Sequence, residues 1–561
     1  MTDAILSMPG ALSAPRETKR RLPVLPVAAL LQAQQTLTAV ERFAKEHGEK
    51  PAQAKYYRDL IPLERPGAHG QYAFEVDLDA CTGCKACVSA CHQLNGLDDG
   101  EIWRTVGLLH GGTASAPALQ TVTTSCHHCI EPACMLGCPT RAYEKDPITG
   151  IVKHLDDQCF GCQYCTLMCP YDAPKYSAKR GIVRKCDMCS DRLAHGEAPA
   201  CVQACPNEAI AIRVVEKVEA VARSDAQSFL PGAPSPEHTL PTTVYKTQRA
   251  MPSNMLPADF YRTSPEHSHP PLVVMLTLTQ LSVGAFVVGL LVERLAGTPA
   301  GSPLAQAAFA GGLAVVALAA SVLHLGRPLL AWRAVLGLRT SWLSREAVAF
   351  GLFAKLAVLT GFVAAAPLLP PFWGKVQLSA AAPALASAAA LTGVIGVLCS
   401  VMVYVATRRA QWSGTQTGLK FFGTTLLLGA ATVLALGSCT GQDSSPRISG
   451  ALVGLVFAVT VIKLAFEGRV FSHYRDPRHS IEKRMALVML GDLRGATTLR
   501  FVAALAGGVL LPFLLFSMGY RGRGLAPISL LMLTLLFLGE LAERYLFFRA
   551  APASRMPGGI P

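Results

Sequence analysis

The chain has 561 residues, 51% of them hydrophobic and only 16% charged, with a mean hydropathy of +0.34, which is too apolar for a soluble enzyme of this length. A formal charge of +13 and an isoelectric point near 9.0 do not point to nucleic acid, because no soluble stretch offers a basic face with stacking aromatics. Much of the excess lies in short loops between hydrophobic segments, where membrane orientation is the usual cause.

Residues 1–70 form an N-terminal extension. Arg20 and Arg21 precede an apolar stretch, but Pro23 and Pro26 interrupt it and no small-residue cleavage site follows, so it is not read as a twin-arginine or secretory leader. Leu30, Ala33, Leu37, Val40 and Ala44 recur at spacings of three and four, which predicts an amphipathic helix that packs on its own domain or docks on a partner.

Of the 18 cysteines, 16 then fall between Cys81 and Cys205, in four groups of four. Cys81, Cys84, Cys87 and Cys91 lie in "CTGCKACVSAC", and Cys159, Cys162, Cys165 and Cys169 in "CFGCQYCTLMCP". Both have the x2, x2, x3 spacing of bacterial ferredoxins. The other groups stretch one gap: Cys126, Cys129, Cys134 and Cys138 in "CHHCIEPACMLGCP", and Cys186, Cys189, Cys201 and Cys205. Three thiolates on one tight loop can ligate three irons of a cube while the fourth cysteine reaches a neighbouring cluster, which builds clusters in pairs. Pro139, Pro170 and Pro206 follow the fourth cysteine in three groups, whereas His92 holds that place in the first. A disulfide scaffold and structural zinc sites are the competing readings, and four complete quartets with three Cys-Pro endings disfavour both.

These quartets resemble the four-cluster electron-transfer subunit of the dimethyl sulfoxide reductase family of molybdenum enzymes, over roughly residues 72–215. The resemblance implies four 4Fe-4S clusters in two ferredoxin-like halves. It also implies that the first quartet exchanges its fourth ligand with the last, and the second with the third. Some relatives replace a cysteine of the third quartet and carry a 3Fe-4S cluster there; Cys159, Cys162 and Cys165 are all present, so four cubanes are expected.

Residues 229–271 are rich in proline and polar residues without sustained periodicity, and read as an extended linker lying along the protein after a cluster domain of 71–228. Eight hydrophobic runs follow, at about 272–296, 305–325, 346–367, 379–406, 421–438, 448–466, 499–519 and 526–548, each suited to cross a bilayer core of about 30 Å. The expected fold is thus an α+β ferredoxin-like multi-cluster domain followed by an all-α bundle of eight transmembrane helices at 272–550, with a cytoplasmic tail at 551–561.

Eight spans place both ends of the bundle on one side. The loops on that side carry 17 Lys and Arg: four from Arg327 to Arg345, three from Arg408 to Lys420, seven from Arg469 to Arg500 and three from Arg544 to Arg555. The other side has five, namely Arg294, Lys375, Arg447, Arg521 and Arg523. By the positive-inside rule the iron-sulfur domain is expected to face the cytoplasm, with the chain in the inner membrane.

On this topology the second span ends at the cytoplasmic mouth with "HLGRPLLAWRA", which sets His324 and Arg327 beneath the cluster domain. A polar mouth in lipid beside electron carriers suits a quinone, whose carbonyl needs a donor and whose redox chemistry moves protons that an imidazole can carry. The bland alternative is that His324 caps the helix and Arg327 snorkels to the headgroups. A second resemblance bears on the choice: "HLGRPLLAWRA", "SWLSREAV", "KFFGTTLLLG" and "GELAERYLFF" are similar to the eight-helix membrane anchor of the same reductase family, over most of 272–550. It implies a role in menaquinol oxidation for the histidine matching His324. In this chain the two family subunits are fused.

Ionisable residues inside spans are costly and need a reason. Lys355 lies about 15 Å past Arg345 at 1.5 Å per residue, and either lines a proton path or pairs with Glu540. Glu540 with Arg544, and Lys463 with Glu467, are spaced i, i+4 and are expected to pair within one helix. Gln280 is a candidate buried hydrogen-bond partner; Tyr404, Trp332 and Trp342 read as interfacial belt residues; Cys399 and Cys439 read as small packing residues. His324 alone among the 14 histidines falls in a predicted span, so no haem is expected. No Walker loop, dinucleotide fingerprint or molybdopterin-domain signature is present.

The sequence therefore predicts an electron-transfer and anchor subunit that relays electrons between a separate molybdopterin catalytic subunit and the quinone pool, without substrate chemistry of its own. Two alternatives stand beside it: a self-contained ferredoxin:quinone oxidoreductase, and a redox-driven ion-translocating or sensing membrane protein.

Overall fold

The computed structural model describes Thr38, Glu41 and residues 57–224, 229–297, 302–366, 381–441, 445–519, 525–553 and 555–557. Contacts divide the chain into two units, Met1–Arg58 and Asp59–Pro561. In the first, the Glu41 carboxylate accepts from the N–H and hydroxyl of Thr38, and the Thr38 hydroxyl accepts from the Glu41 N–H at 3.1 Å, the reciprocal pattern of a helix start. The helix expected from Leu30 to Ala44 lies otherwise outside the described residues.

The second unit opens with strand β1 (Gly70–Asp77). Its Tyr72, Phe74 and Val76 are buried, and it forms the middle of a three-stranded sheet. On one side β8 (Ile210–Glu216) pairs antiparallel, with Phe74 opposite Ile212; on the other, β9 (Val244–Lys246) pairs parallel. A second sheet has the order β10 (Leu256–Pro257), β2 (Thr105–Gly112), β3 (Pro117–Thr124). Two small hairpins, β4–β5 (Tyr143–Lys145, Val152–His154) and β6–β7 (Lys175–Ser177, Ile182–Arg184), follow the second and third cysteine quartets. The stretch 229–271 supplies β9 and β10 and buries Leu230 and Met255 beside Val76 and Leu109. These strands are too short to show a period in the sequence.

Short helices lie among the cysteines and carry Cys87, Cys91, Cys134, Cys165 and Cys201: α1 (Ala86–Leu94), α2 (Ala133–Leu136), α3 (Tyr164–Met168), α4 (Ser190–Ala194) and α5 (Ala200–Gln203). Helices α1, α3 and α4 each follow a left-handed residue, Lys85, Gln163 and Cys189. That turn folds the preceding Cys-x2-Cys loop back upon its helix. Helix α6 (Lys217–Ser224) closes the region.

Among the described residues eight helices are long and apolar enough to cross a membrane. They are α7 (Pro270–Ala296), α8 (Pro303–Leu323), α9 (Trp342–Ala365), α10 (Ala382–Val405), α11 (Gly414–Thr440), α12 (Pro446–Gly468), then, after an extramembrane helix α13 (Ile481–Leu490), α14 (Arg494–Ser517) and α15 (Leu525–Arg549). Helices α11 and α14 begin several residues earlier than their apolar runs, because polar first turns continue the helix at the membrane surface. Helices α7 and α11 are the most enclosed. They touch at Gly284 and Gly429, where a β-carbon on Gly284 would strike the Thr425 carbonyl oxygen. A one-turn π-helix at Ala506–Leu510 seats Gly508 against Thr460.

Candidate functional site

The fold brings the sixteen cysteines into four sets. Cys81, Cys84 and Cys87 line one hollow with Cys205, and Cys186, Cys189 and Cys201 line another with Cys91. Cys126, Cys129 and Cys134 share a third with Cys169, while Cys159, Cys162 and Cys165 lie within electrostatic reach of Cys138. Each set thus combines three cysteines of one quartet with the fourth of another, in the exchange that the resemblance implied: first with last, second with third. None of the 18 cysteines forms a disulfide. Among the described residues no three His, Cys, Asp or Glu side chains converge as on a single ion; the sulfurs border hollows, whereas a zinc site would draw four sulfurs to about 2.3 Å from one centre.

The surroundings fit a polyanionic iron-sulfur group. Backbone N–H groups point at the sulfurs: Ala142 donates to Cys138 Sγ at 3.2 Å, Ala209 to Cys205 Sγ at 3.3 Å and Met188 to Cys186 Sγ at 3.4 Å. Two cations are buried among the cysteines. Lys185, 2% exposed, donates to Cys126 Sγ at 3.4 Å, and the thiols of Cys134 and Cys186 also act on it. Arg104, also 2% exposed, faces Cys87, Cys91, Cys186 and Cys201 and is held by Thr123 and Ser125. Burial pushes the thiols up, Cys91 to about 12 and Cys169 and Cys189 to about 11. Their thiolate forms need bound cationic iron and the nearby Arg104 and Lys185 to be stable at neutral pH. Cysteine spacing revealed neither cation, although Lys185 stands immediately before Cys186.

The set of Cys159, Cys162, Cys165 and Cys138 sits against the membrane helices. His324 is the C-cap of α8, lies beside the backbone of Cys162, and meets the ring of His269 edge-to-face at 5.2 Å. Burial holds the imidazole of His269 down to about 3. Arg327 donates from its backbone to Phe160 O at 3.0 Å and from its guanidinium to Asp156 O at 2.9 Å. Between them, Gly326 abuts Gly181 so closely that a β-carbon would strike the Gly181 carbonyl oxygen. Gly326 and Arg327 therefore fasten the region of the third quartet to the mouth of α8, with the Arg327 guanidinium on the Asp156 carbonyl. The segment Pro328–Val335 continues as a 3-10 helix that exposes Leu329, Trp332 and Val335, a face suited to the interface.

Sequence reasoning passed over Glu346. It is 4% exposed on α9 and accepts from Ser400 of α10. Among the described residues it makes no ion pair, and it lies within electrostatic reach of Tyr164, whose hydroxyl donates to Val403 O at 2.8 Å. A carboxylate inside an apolar run was the available signal. His269 was hidden by its place in the proline-rich linker.

Several expectations inside the bundle are corrected. Glu540 pairs neither with Lys355, which is exposed on α9, nor with Arg544. Its carboxylate binds Lys463 of α12 at 2.5 Å and Arg500 of α14 at 2.7 Å. Glu467 is likewise taken by Arg500, in a two-pronged pair at 2.8 Å. Arg544 donates to Gln280 at 2.9 Å and neighbours Glu543 at 3.4 Å, which also binds Lys420 at 3.1 Å. The i, i+4 pairs give way because in lipid a cross-helix partner both neutralises charge and fixes packing. Gln280 is a buried partner as expected. Tyr404 is no belt residue: it is 4% exposed, ringed by Trp412, Phe421 and Phe547. Trp332 is exposed and Trp342 half-buried. Cys399 is packed, whereas Cys439 is exposed.

The architecture defines a class: a ferredoxin-like electron-transfer region joined to an eight-helix membrane anchor. Comparison with known proteins agrees. Residues 118–215 match the family described as 4Fe-4S dicluster domain, covering the last three quartets, and residues 266–549 match the DMSO reductase anchor subunit (DmsC) family. The chain is 34% identical over 188 residues to the B subunit of anaerobic dimethyl sulfoxide reductase from Haemophilus influenzae, covering 32% of this chain and 90% of that protein. To the corresponding B subunit from Escherichia coli it is 38% identical over 148 residues, 25% of this chain and 72% of the relative. To the hydrogenase-2 operon protein HybA of Shigella flexneri it is 32% identical over 209 residues, 33% and 62% respectively. The protein belongs to the DMSO reductase anchor subunit family and carries the iron-sulfur electron-transfer domain fused ahead of the anchor. It is a multi-pass membrane protein.

Proposed function

We propose that the chain relays electrons between a molybdopterin catalytic subunit and the membrane quinone pool through four 4Fe-4S clusters, with the iron-sulfur domain on the cytoplasmic side of the inner membrane. Each cluster would be held by one of the four cysteine sets above; when bound, it supplies one-electron transfer. The domain boundaries of the reading follow from this division of labour: a cluster domain of 71–228, a linker of 229–271 and a quinone-interacting anchor of 272–550.

The observation that carries the quinone end is the seat of His324 at the end of α8, beside Cys162 and edge-to-face with His269 at 5.2 Å. This supports a proton-carrying role for the side chain next to the loop of the set nearest the membrane. There His324 donates to a quinone carbonyl or takes a quinol proton, Arg327 keeps the loop seated, and Glu346 is a buried carboxylate positioned to receive a proton on the membrane side of Tyr164. The relatives named as subunits of a dimethyl sulfoxide reductase support a molybdopterin partner. The 17-to-5 excess of cations in the loops supports the orientation.

Two measurements test the reading. Mild anaerobic isolation should bring down a large molybdenum-bearing subunit; a stable lone chain that reduces quinone from ferredoxin would favour the rival oxidoreductase. His324→Leu should keep all cluster signals and partner docking yet lose reduction of the clusters by a quinol analogue, and normal rates in well-folded protein would remove His324 from the mechanism.

A further inference from the structure

We propose that a cavity of about 490 Å³, set where the α10–α11 loop, the segment before α13, the linker and the C-terminal tail meet, binds a phosphate-bearing anion. The source is either the headgroup of an anionic phospholipid or free phosphate. Neither a cysteine nor His324 lines it, although Pro170, next to Cys169, forms part of its wall.

Unused donors carry the argument. Arg409 Nε and Arg484 Nη2 are buried without a hydrogen-bond partner, as are the Nε2 atoms of His238 and His479. All four residues line this one cavity. They come from three separate segments, so their convergence is a product of the fold and not of a charge run. A buried guanidinium N–H left without an acceptor is costly, and a phosphate offers several acceptor oxygens in the spacing that guanidinium groups match. The ring nitrogens can donate to such an anion or accept its hydroxyl, according to tautomer.

Charge points the same way. The lining holds Arg408, Arg409, Arg484 and Arg555 against Asp259 and Glu237. Asp259 is engaged by Arg555 at 3.0 Å, and Glu266, which lies near Arg409 and Arg484, accepts from the Ala553 N–H at 3.0 Å. With Glu266 counted beside Asp259 and Glu237, an excess of one cation is left around the cavity. Burial followed by Arg408 holds His238 below its ordinary value, and burial followed by Arg484 holds His479 down; a bound anion would relieve both. Position favours a lipid source. The cavity lies just beyond Val405, where α10 ends, so its arginines gather at that end of the span, as in a basic pocket for lipid headgroups.

The test uses the full chain in detergent, stripped of native lipid and titrated calorimetrically. Its probes are dihexanoyl phosphatidylglycerol, inorganic phosphate and dihexanoylglycerol. Saturable binding of phosphatidylglycerol at one site is expected, weakened about tenfold or more by Arg484→Gln or Arg409→Gln and unchanged by Arg475→Gln, an exposed arginine outside the cavity. Tighter binding of phosphatidylglycerol than of inorganic phosphate identifies the lipid as source; equal binding identifies free phosphate. Iron content and gel filtration check the fold of each variant, and either arginine suffices should the other variant fail to fold. Three results would overturn the proposal: neither phosphate probe saturates, dihexanoylglycerol binds as well as phosphatidylglycerol, or Arg475→Gln weakens binding as much as Arg484→Gln.

Discussion

Arg500 on α14 reaches across the bundle to Glu540 on α15, with Nη1 to Oε1 at 2.7 Å and both residues at most 1% exposed. Because its other two donors hold Glu467 of α12, one guanidinium ties three spans. Removing it strips Glu467 of its ion pair while Glu540 keeps Lys463, in a medium where an uncompensated buried charge costs about 3–5 kcal/mol. Arg500→Met should therefore lower the unfolding temperature in detergent sharply. Adding Glu467→Gln should recover part of the loss, since Arg500 supplies the ion pair Glu467 makes among the described residues. A single variant as stable as the parent would mean that water or lipid already solvates these carboxylates.

How far such features can be read from sequence follows from their range. Quartet spacing is local, so all sixteen cysteines and the eight spans were legible, and so was the polar mouth at His324 and Arg327. Partners across helices are not local. Glu540 and Arg544 stand one turn apart, and the sequence offers no sign that each instead faces a different neighbouring helix. Arg104 and Lys185 were missed for the same reason: only the folded β2–β3 ladder and the β7 strand end carry them to the sulfurs. Tyr404, at the end of an apolar run, has the pattern of a belt residue. What buries it is an aromatic cluster drawn from α11 and α15.

The four cysteine sets make an unequal prediction about paired sites. Anaerobically purified protein should hold about 16 iron and 16 acid-labile sulfur atoms if each set takes a cubane. Cys205→Ser removes a ligand from the set of Cys81, Cys84 and Cys87, although Cys205 belongs to the last quartet in sequence. Its effect should fall first on that distant set and more weakly on the set of Cys186, Cys189 and Cys201. Electron paramagnetic resonance of the reduced protein separates the two. Loss confined to the Cys186 set would contradict the exchange, and a parent iron content near eight would contradict four cubanes.

Orientation can be checked without enzymology. With eight spans and the cation-rich loops on the side of the iron-sulfur region, a reporter fused after Pro561 should behave as cytoplasmic, and one inserted near Asp443 as external. The reverse pattern would turn the whole protein over and put the catalytic partner outside the cell.

Lys185 offers the sharpest test of what the protein does to its clusters. The ammonium sits 3.4 Å from Cys126 Sγ and also donates to the Cys186 carbonyl at 2.7 Å, so it bears on two neighbouring sets at once. A unit charge about 5 Å from a redox centre at an effective dielectric near 20 is worth about 3 kcal/mol, which corresponds to a shift on the order of 100 mV. Lys185→Met keeps the bulk and removes the charge, so the cluster of Cys126, Cys129, Cys134 and Cys169 should become harder to reduce and its midpoint should fall. The set holding Cys186 should move in the same direction by less, and the set of Cys159, Cys162 and Cys165, for which no such contact exists among the described residues, should stay in place. Potentiometric titration followed by paramagnetic resonance reads all of these in one sample. A uniform shift of every cluster would mark general loosening of the domain, and no shift at all would show that solvent, not Lys185, balances the charge on those sulfurs.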